Sequence, residues 1–261
     1  MIPSRLIGGR YVVLDGLGRG LLGQVWRAED RLTGRLLAVQ ELHVPGMTPA
    51  EHAQFRERLL REARRIGALA DPGLLAVHDV LSDCGIDHVV TELVVGTRLS
   101  EHVASGGPLA AHDAADLARA LLRTLRAAHQ RQLVHGAVRP GAVVLGDDGR
   151  IALADVGLAR AAEEAGVPVH EQLGPHDVVA PERAAGGPAT AAADMWGLGA
   201  TLAYAGATEE PLSSLVAALR TEDPAARPTA DEALAMLGRN GSSRGGTSGR
   251  PWRRIWERLR P

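Results

Sequence analysis

Apolar and polar positions change their period about a third of the way along the chain. Short apolar or alternating runs cover 11–17, 25–29, 36–42 and 88–93, parted by Gly, Thr-Gly and Asp-rich turns. Such runs predict strands. One helix interrupts them over 49–70, where Phe55, Leu59, Ile66 and Leu69 recur at helical spacing and Asp71-Pro72-Gly73 closes the run. Beyond Leu99 the pattern turns helical, and 111–131 sets Leu117, Leu121, Leu125 and Ala128 on one stripe. Two small strands follow (142–145 and 151–153), then a loop, then helices near 191–205, 211–220 and 230–237. Strands first and helices after predict an α+β, two-lobed architecture, with a β-rich lobe over 10–98 and an α-helical lobe over 99–237. Residues 238–249 are Gly/Ser-rich and predict a flexible linker, leaving 250–261 as a separate basic segment.

Composition narrows the function classes. The chain has 261 residues, 45% hydrophobic and 23% charged, which suits a globular core of one large or two small domains. A formal charge of −2 gives no reason to expect a nucleic acid partner. The single cysteine, Cys84, excludes an internal disulfide, and no cluster has zinc spacing. No apolar run reaches the length of a membrane span and the first ten residues lack a signal-peptide core, so a cytoplasmic protein is expected. All 29 cationic residues are arginines; lysine is absent and Asn240 is the only asparagine. A GC-rich coding sequence accounts for that bias. Its chemical consequence stands regardless: no lysine ammonium, and no asparagine within the lobes, is available.

Several short motifs carry candidate chemistry. Gly18-Arg19-Gly20-Leu21-Leu22-Gly23-Gln24-Val25 places three glycines between two predicted strands. Strand–turn–strand context favours a flap over phosphates, whose backbone N–H groups approach closely, although a plain glycine hairpin has the same pattern. Ala38-Val39-Gln40 follows toward the end of the strand predicted over 36–42. Then come His135-Gly136-Ala137-Val138-Arg139-Pro140, Asp155-Val156-Gly157, Ala180-Pro181-Glu182, Asp194-Met195-Trp196-Gly197 and Arg227-Pro228-Thr229.

In this order the motifs resemble a Hanks-type protein kinase, closest to the bacterial eukaryotic-like serine/threonine kinases, over roughly 10–237. The resemblance implies a five-stranded first lobe, a helical second lobe and an ATP cleft between them, hinged near residues 92–96. It sets Gly18, Gly20, Gly23, Val25, Ala38, Gln40, Glu62, Thr91 and Val144 around the nucleotide, with magnesium held through Asp155 alone. Val25, Ala38 and Val144 fall where the family sandwiches adenine; an apolar core also accounts for all three. His135 matches a structural histidine packed beneath residue 156. Glu182 and Arg227 match an ion pair of the second lobe, and Asp194 an aspartate that anchors the catalytic loop. For the other histidines, solvated or capping roles are expected.

The departures fall on the chemistry. The strand lysine that holds ATP phosphates and pairs with a helix glutamate is Gln40; its amide is expected to hydrogen-bond Glu62 instead. The catalytic base position is Ala137, the metal-binding asparagine position is Ala142, and Arg139 stands at the loop lysine. A positioned base is worth about 10²–10⁴ in rate, and one lost electrostatic group costs about 10²–10³. No Ser, Thr or Tyr lies between Asp155 and Glu182 to be phosphorylated. Between Trp196 and Arg227 the chain is shorter than the family expects. The reading is a pseudokinase, a signalling scaffold or regulatory module with a protein partner and weak ATP binding. The alternative is an active but atypical serine/threonine kinase that transfers the ATP γ-phosphate to protein.

In the tail, Trp252, Ile255, Trp256 and Leu259 fall on one helical stripe among Arg250, Arg253, Arg254, Arg258 and Arg260. A basic amphipathic helix of this kind suits an anionic membrane surface, and thus peripheral attachment; docking on a protein or on its own second lobe explains it as well.

Overall fold

The computed structural model describes residues 5–44, 46–167, 169 and 178–239. Its first part is a six-stranded antiparallel sheet: β1 (Leu6–Ile7), β2 (Tyr11–Arg19), β3 (Gln24–Asp30), β4 (Leu36–Leu42), β5 (Val77–Asp83) and β6 (Ile86–Glu92), in the order β1-β2-β3-β4-β6-β5. Alternation puts Ile7, Tyr11, Ala28, Leu37, Val39 and Val90 into one apolar layer. Helix α1 (Pro49–Leu69) crosses this sheet. Thr48 and Glu51 cap it reciprocally, and Ala70 ends it in a left-handed conformation at φ 49°. Phe55, Leu59 and Ile66 form its buried face. Asp87, fully buried on β6, accepts hydrogen bonds from Arg56 Nη1 (2.7 Å) and from His52 Nδ1 (2.8 Å), so α1 is tied to the sheet near its start.

The second part is helical around a small sheet. After β7 (Gly96–Arg98) come α2 (Leu99–Gly106), α3 (Ala111–Gln130), β8 (Val143–Gly146), β9 (Ile151–Leu153), α4 (Leu158–Glu164), α5 (Pro181–Ala184), α6 (Ala191–Tyr204), α7 (Leu212–Leu219) and α8 (Ala230–Arg239). Strands β7, β8 and β9 pair antiparallel in that order. Leu117, Leu121, Leu122 and Leu125 of α3 meet Leu198, Leu202, Leu215, Leu219 and Leu237 in the largest core. Each such leucine contributes about 1.5–3 kcal/mol by leaving water. The chain therefore has the two-lobed α+β fold that its sequence implies.

The structure corrects several local expectations. The first sheet has six strands rather than five, because Leu6 and Ile7 pair with Val12 and Tyr11 and bury Ile7 completely. Strand β5 has no clean alternation to announce it: Val77–Asp83 lies at the sheet edge, half-exposed, with a register shift between Val77 and Asp79. The stretch expected as one loop after β9 contains α4 and α5, whose alanines give almost no apolar period. Residue 142 closes a short 3₁₀ turn (Pro140–Ala142) instead of opening a strand. Three histidines are neither solvated nor capping: His52 binds Asp87, His129 binds Asp194 at 2.9 Å, and His88 is fully buried. Gly238 and Arg239, expected in the linker, close α8. The rest of that linker, the basic tail 250–261, His170 and His176 lie outside the described residues.

Candidate functional site

Between the two parts lies an open cleft of about 710 Å³, solvent-facing space included. Leu17, Val25 and Ala38 form its upper wall, Val144 and Ala154 its floor, and Thr91–Val94 with Gly96 its back edge. Glu92 sits on that edge. Arg150 grips it through two bonds of 2.6 and 2.7 Å, holding the Glu92 carboxyl below the usual carboxylate range. Gln40 and Asp155 close the deep end. Sequence reading thus placed Val25, Ala38, Gln40, Thr91, Val144 and Asp155 around one cleft, and they are brought together there. The expected hinge, 92–96, supplies the back edge; Leu17 and Glu101, which no motif marks, also line the cleft.

The glycine turn between β2 and β3 folds down rather than standing open. Gly18 has φ +107°, a conformation that side chains with a Cβ rarely adopt. A Cβ on Gly20 would run into the Gln40 side chain, and one on Gly23 into the backbone of Glu41. Leu21 and Leu22 are buried, and Gly20 N–H donates to Gly23 O at 2.8 Å. The turn is latched further by His43 N–H, which donates to Leu22 O at 2.8 Å.

Gln40 does not bond Glu62, contrary to expectation. In the amide orientation that satisfies both neighbours, its nitrogen donates to Asp155 Oδ1 (3.1 Å) and its oxygen accepts from Leu21 N–H (3.3 Å). The physical reason is that an amide carries both a donor and an acceptor: Asp155 and Leu21 N–H together satisfy both, which Glu62 alone would not. Glu62 Oε1 instead receives Arg65 Nη1 at 3.2 Å, while its Oε2 is buried without a hydrogen bond. Asp155 stands in a left-handed backbone conformation, φ +63°, at 2% side-chain exposure. Its Oδ2 accepts from Arg139 Nη2 at 2.8 Å. Both carboxylate oxygens are engaged by the chain itself.

The loop that would carry the base keeps its shape without the base. Asp194 Oδ2 accepts His135 N–H (2.8 Å) and Oδ1 accepts Gly136 N–H (2.7 Å). His135 is buried, and its Nδ1 accepts Ala137 N–H at 3.1 Å. Gly157 N–H donates to His135 O at 3.0 Å, joining this loop to the segment after Asp155. Ala137 belongs to an apolar cluster with Leu21, Leu22, Phe55, Leu59, Leu158, Ala162, Val169 and Val179. The cluster joins the glycine turn, α1, the loop and α4. Further down, Arg227 binds Glu182 through two bonds of 2.6 and 2.7 Å, an ion pair the sequence implies.

A divalent cation does not fit these donors. Magnesium asks for near-octahedral oxygen ligands; each Asp155 oxygen already accepts a bond from the chain, and Ala142, fully buried, has no side-chain oxygen to offer. Among the described residues no group of three or more His, Cys, Asp or Glu side chains is arranged to hold a metal. None of the helices described is long and apolar enough to cross a membrane.

Comparison with known proteins is consistent in direction. The serine/threonine-protein kinase PrkC of Bacillus subtilis is 30% identical over 203 residues, which are 77% of this chain and 31% of that protein. The serine/threonine-protein kinase PknA of Mycobacterium tuberculosis is 33% identical over 201 residues, 74% of this chain and 46% of that one. The chain therefore spans between about a third and a half of these relatives' length. The protein kinase domain pattern matches residues 11–218, through the cleft, the loop and α6. With that match across most of its length, this chain belongs to the protein kinase domain family.

Proposed function

We propose that this chain is a catalytically inactive kinase domain, a pseudokinase, that acts as a regulatory or scaffolding module in bacterial signalling. One observation carries the reading: the base position is Ala137, buried in an apolar cluster that also holds the glycine-turn leucines and α4. A substrate hydroxyl brought there would find no carboxylate, and the cluster would have to open first. Three missing parts do not simply add, yet a combined loss on the order of 10⁵ against a turnover of about 1–100 per second leaves no useful transfer. What persists is architectural: Asp194 on the loop backbone and Arg227 on Glu182. The lobes 10–98 and 99–237 then serve as a platform for a protein partner, with the tail 250–261 as an attachment to anionic lipid.

The second reading, protein phosphorylation on serine or threonine by rearranged residues, draws on the names of the relatives. It needs a free carboxylate in the cleft to act as base, and Asp155 at its deep end is already paired with Arg139. The test is incubation of the purified full chain with γ-labelled ATP, magnesium or manganese, and a generic protein substrate. No label above that of Asp155→Ala is expected. Label on protein that disappears in Asp155→Ala would establish the second reading.

A further inference from the structure

We propose that the cleft selects an uncharged planar heteroaromatic ligand of nucleoside type, bound without a metal ion, over a nucleoside triphosphate. The inference deepens the pseudokinase reading by naming what its cleft takes.

Charge along the cleft is the first argument. Three carboxylates face it, Glu92, Glu101 and Asp155, against one guanidinium, Arg98. Glu92 is neutralised by Arg150 and Asp155 by Arg139, so neither arginine is left over for a phosphate. Arg98 donates instead to the carbonyl of Gly141. Glu101 lies at the mouth, with Oε1 3.6 Å from where a Cβ on Gly18 would be. A triphosphate chain laid under the glycine turn meets that carboxylate and, behind Gln40, the partner-poor Glu62. Like charges so placed disfavour it.

Backbone donors give the second argument. Glycine turns cradle phosphates through free N–H groups. Here Gly20 N–H is spent on Gly23 O and Leu21 N–H on the Gln40 amide, while Leu21 and Leu22 are packed inward. Phosphate binding through these two N–H groups would have to break those bonds. The metal that normally offsets phosphate charge would find one carboxylate, Asp155, already paired with Arg139, and no second side-chain ligand at Ala142. Arg139 thus acts as a built-in cation that serves the fold and not a ligand.

The apolar half of the cleft has no such obstacle. Leu17, Val25 and Ala38 face Val144 and Ala154 across a slot open at the Thr91–Val94 edge, suited to a flat ring. Small-residue walls at Ala38 and Ala154 leave the width, and nothing in the slot demands charge.

Calorimetric titration of the full chain with adenosine, with ATP in EDTA and with ATP plus magnesium tests the proposal. Adenosine is expected to bind, ATP to bind no more tightly, and magnesium to change ATP affinity less than about twofold. Ala38→Phe should abolish adenosine binding with the circular dichroism unchanged; Val144→Phe serves if that variant fails to fold. Gln40→Lys, which adds a cation and frees Leu21 N–H, should raise ATP affinity relative to adenosine by about tenfold or more. ATP binding about tenfold tighter than adenosine in the unsubstituted chain, or no adenosine binding at millimolar concentration, overturns the proposal. Neither result bears on transfer, which the labelled-phosphate assay reads separately.

Discussion

Arg139 and Asp155 are 14% and 2% exposed and bonded at 2.8 Å, so they form one buried ion pair. Breaking a buried pair from one side leaves an uncompensated charge and costs about 3–5 kcal/mol, whereas replacing both partners with apolar groups is often close to neutral. Arg139→Met is therefore expected to lower stability by about 3 kcal/mol, and Arg139→Met with Asp155→Leu by clearly less. Urea unfolding of the two variants measures this; equal losses would show that the pair is not the unit. At this scale the sequence was half legible. It identifies positions 40, 137, 139 and 142 as departures from the kinase pattern and Asp155 as retained, because the pattern fixes spacing. It did not reveal where the Gln40 and Arg139 side chains would end, since that depends on which free donors and acceptors the folded backbone leaves within reach.

Among the elements, α1 shows how a kinase-type helix is held without a lysine. Asp87 takes both His52 and Arg56, while Phe55 and Ile66 supply the buried face. Asp87→Ala should remove both bonds and strand two polar side chains, loosening α1 alone. Hydrogen exchange is expected to quicken across Pro49–Leu69 and to stay unchanged in α3. The anchor was unreadable beforehand because it joins residues 31 and 35 apart, across a strand that gave no pattern of its own. A second expectation concerns pH. Burial pushes the imidazoles of His88 on β6 and His135 before β8 below their ordinary value, against the pull of Glu41 on the first and Asp194 on the second. Both thus stay neutral to lower pH in the folded chain than in the unfolded chain, which takes up protons below about pH 6.5. Their contribution to stability is complete above that pH and is lost as pH falls below it, by at most about 1.4 kcal/mol per pH unit for each. Urea unfolding at pH 7.5 and 5.5 checks this, and His88→Leu should give the shallower decline.

For the whole molecule, sequence pattern carried the architecture further than the detail: an amphipathic α3 and alternating β2, β3, β4 and β6 sufficed for two lobes, while alanine-rich α4 and edge strand β5 did not declare themselves. The same limit applies beyond residue 239, where only the sequence speaks. Trp252, Ile255, Trp256 and Leu259 recur in the sequence at the spacing of one helical face, with five arginines among 250–260. If the kinase-fold body is a platform, its place in the cell depends on such an attachment. Arginines near an anionic lipid surface contribute about 1 kcal/mol each, an attraction that fades within a Debye length of about 8 Å at physiological salt. Two buried tryptophans add apolar area that salt does not screen. Binding to anionic vesicles should therefore fall only partly as salt rises, and Trp252→Ala with Trp256→Ala should remove the salt-resistant part. Co-sedimentation with anionic and neutral vesicles measures both parts, comparing the full chain with one ending at Arg239. The full chain is expected to pellet with anionic vesicles and the shorter one to stay in solution. Equal sedimentation of the two would assign the tryptophan stripe to a protein surface instead.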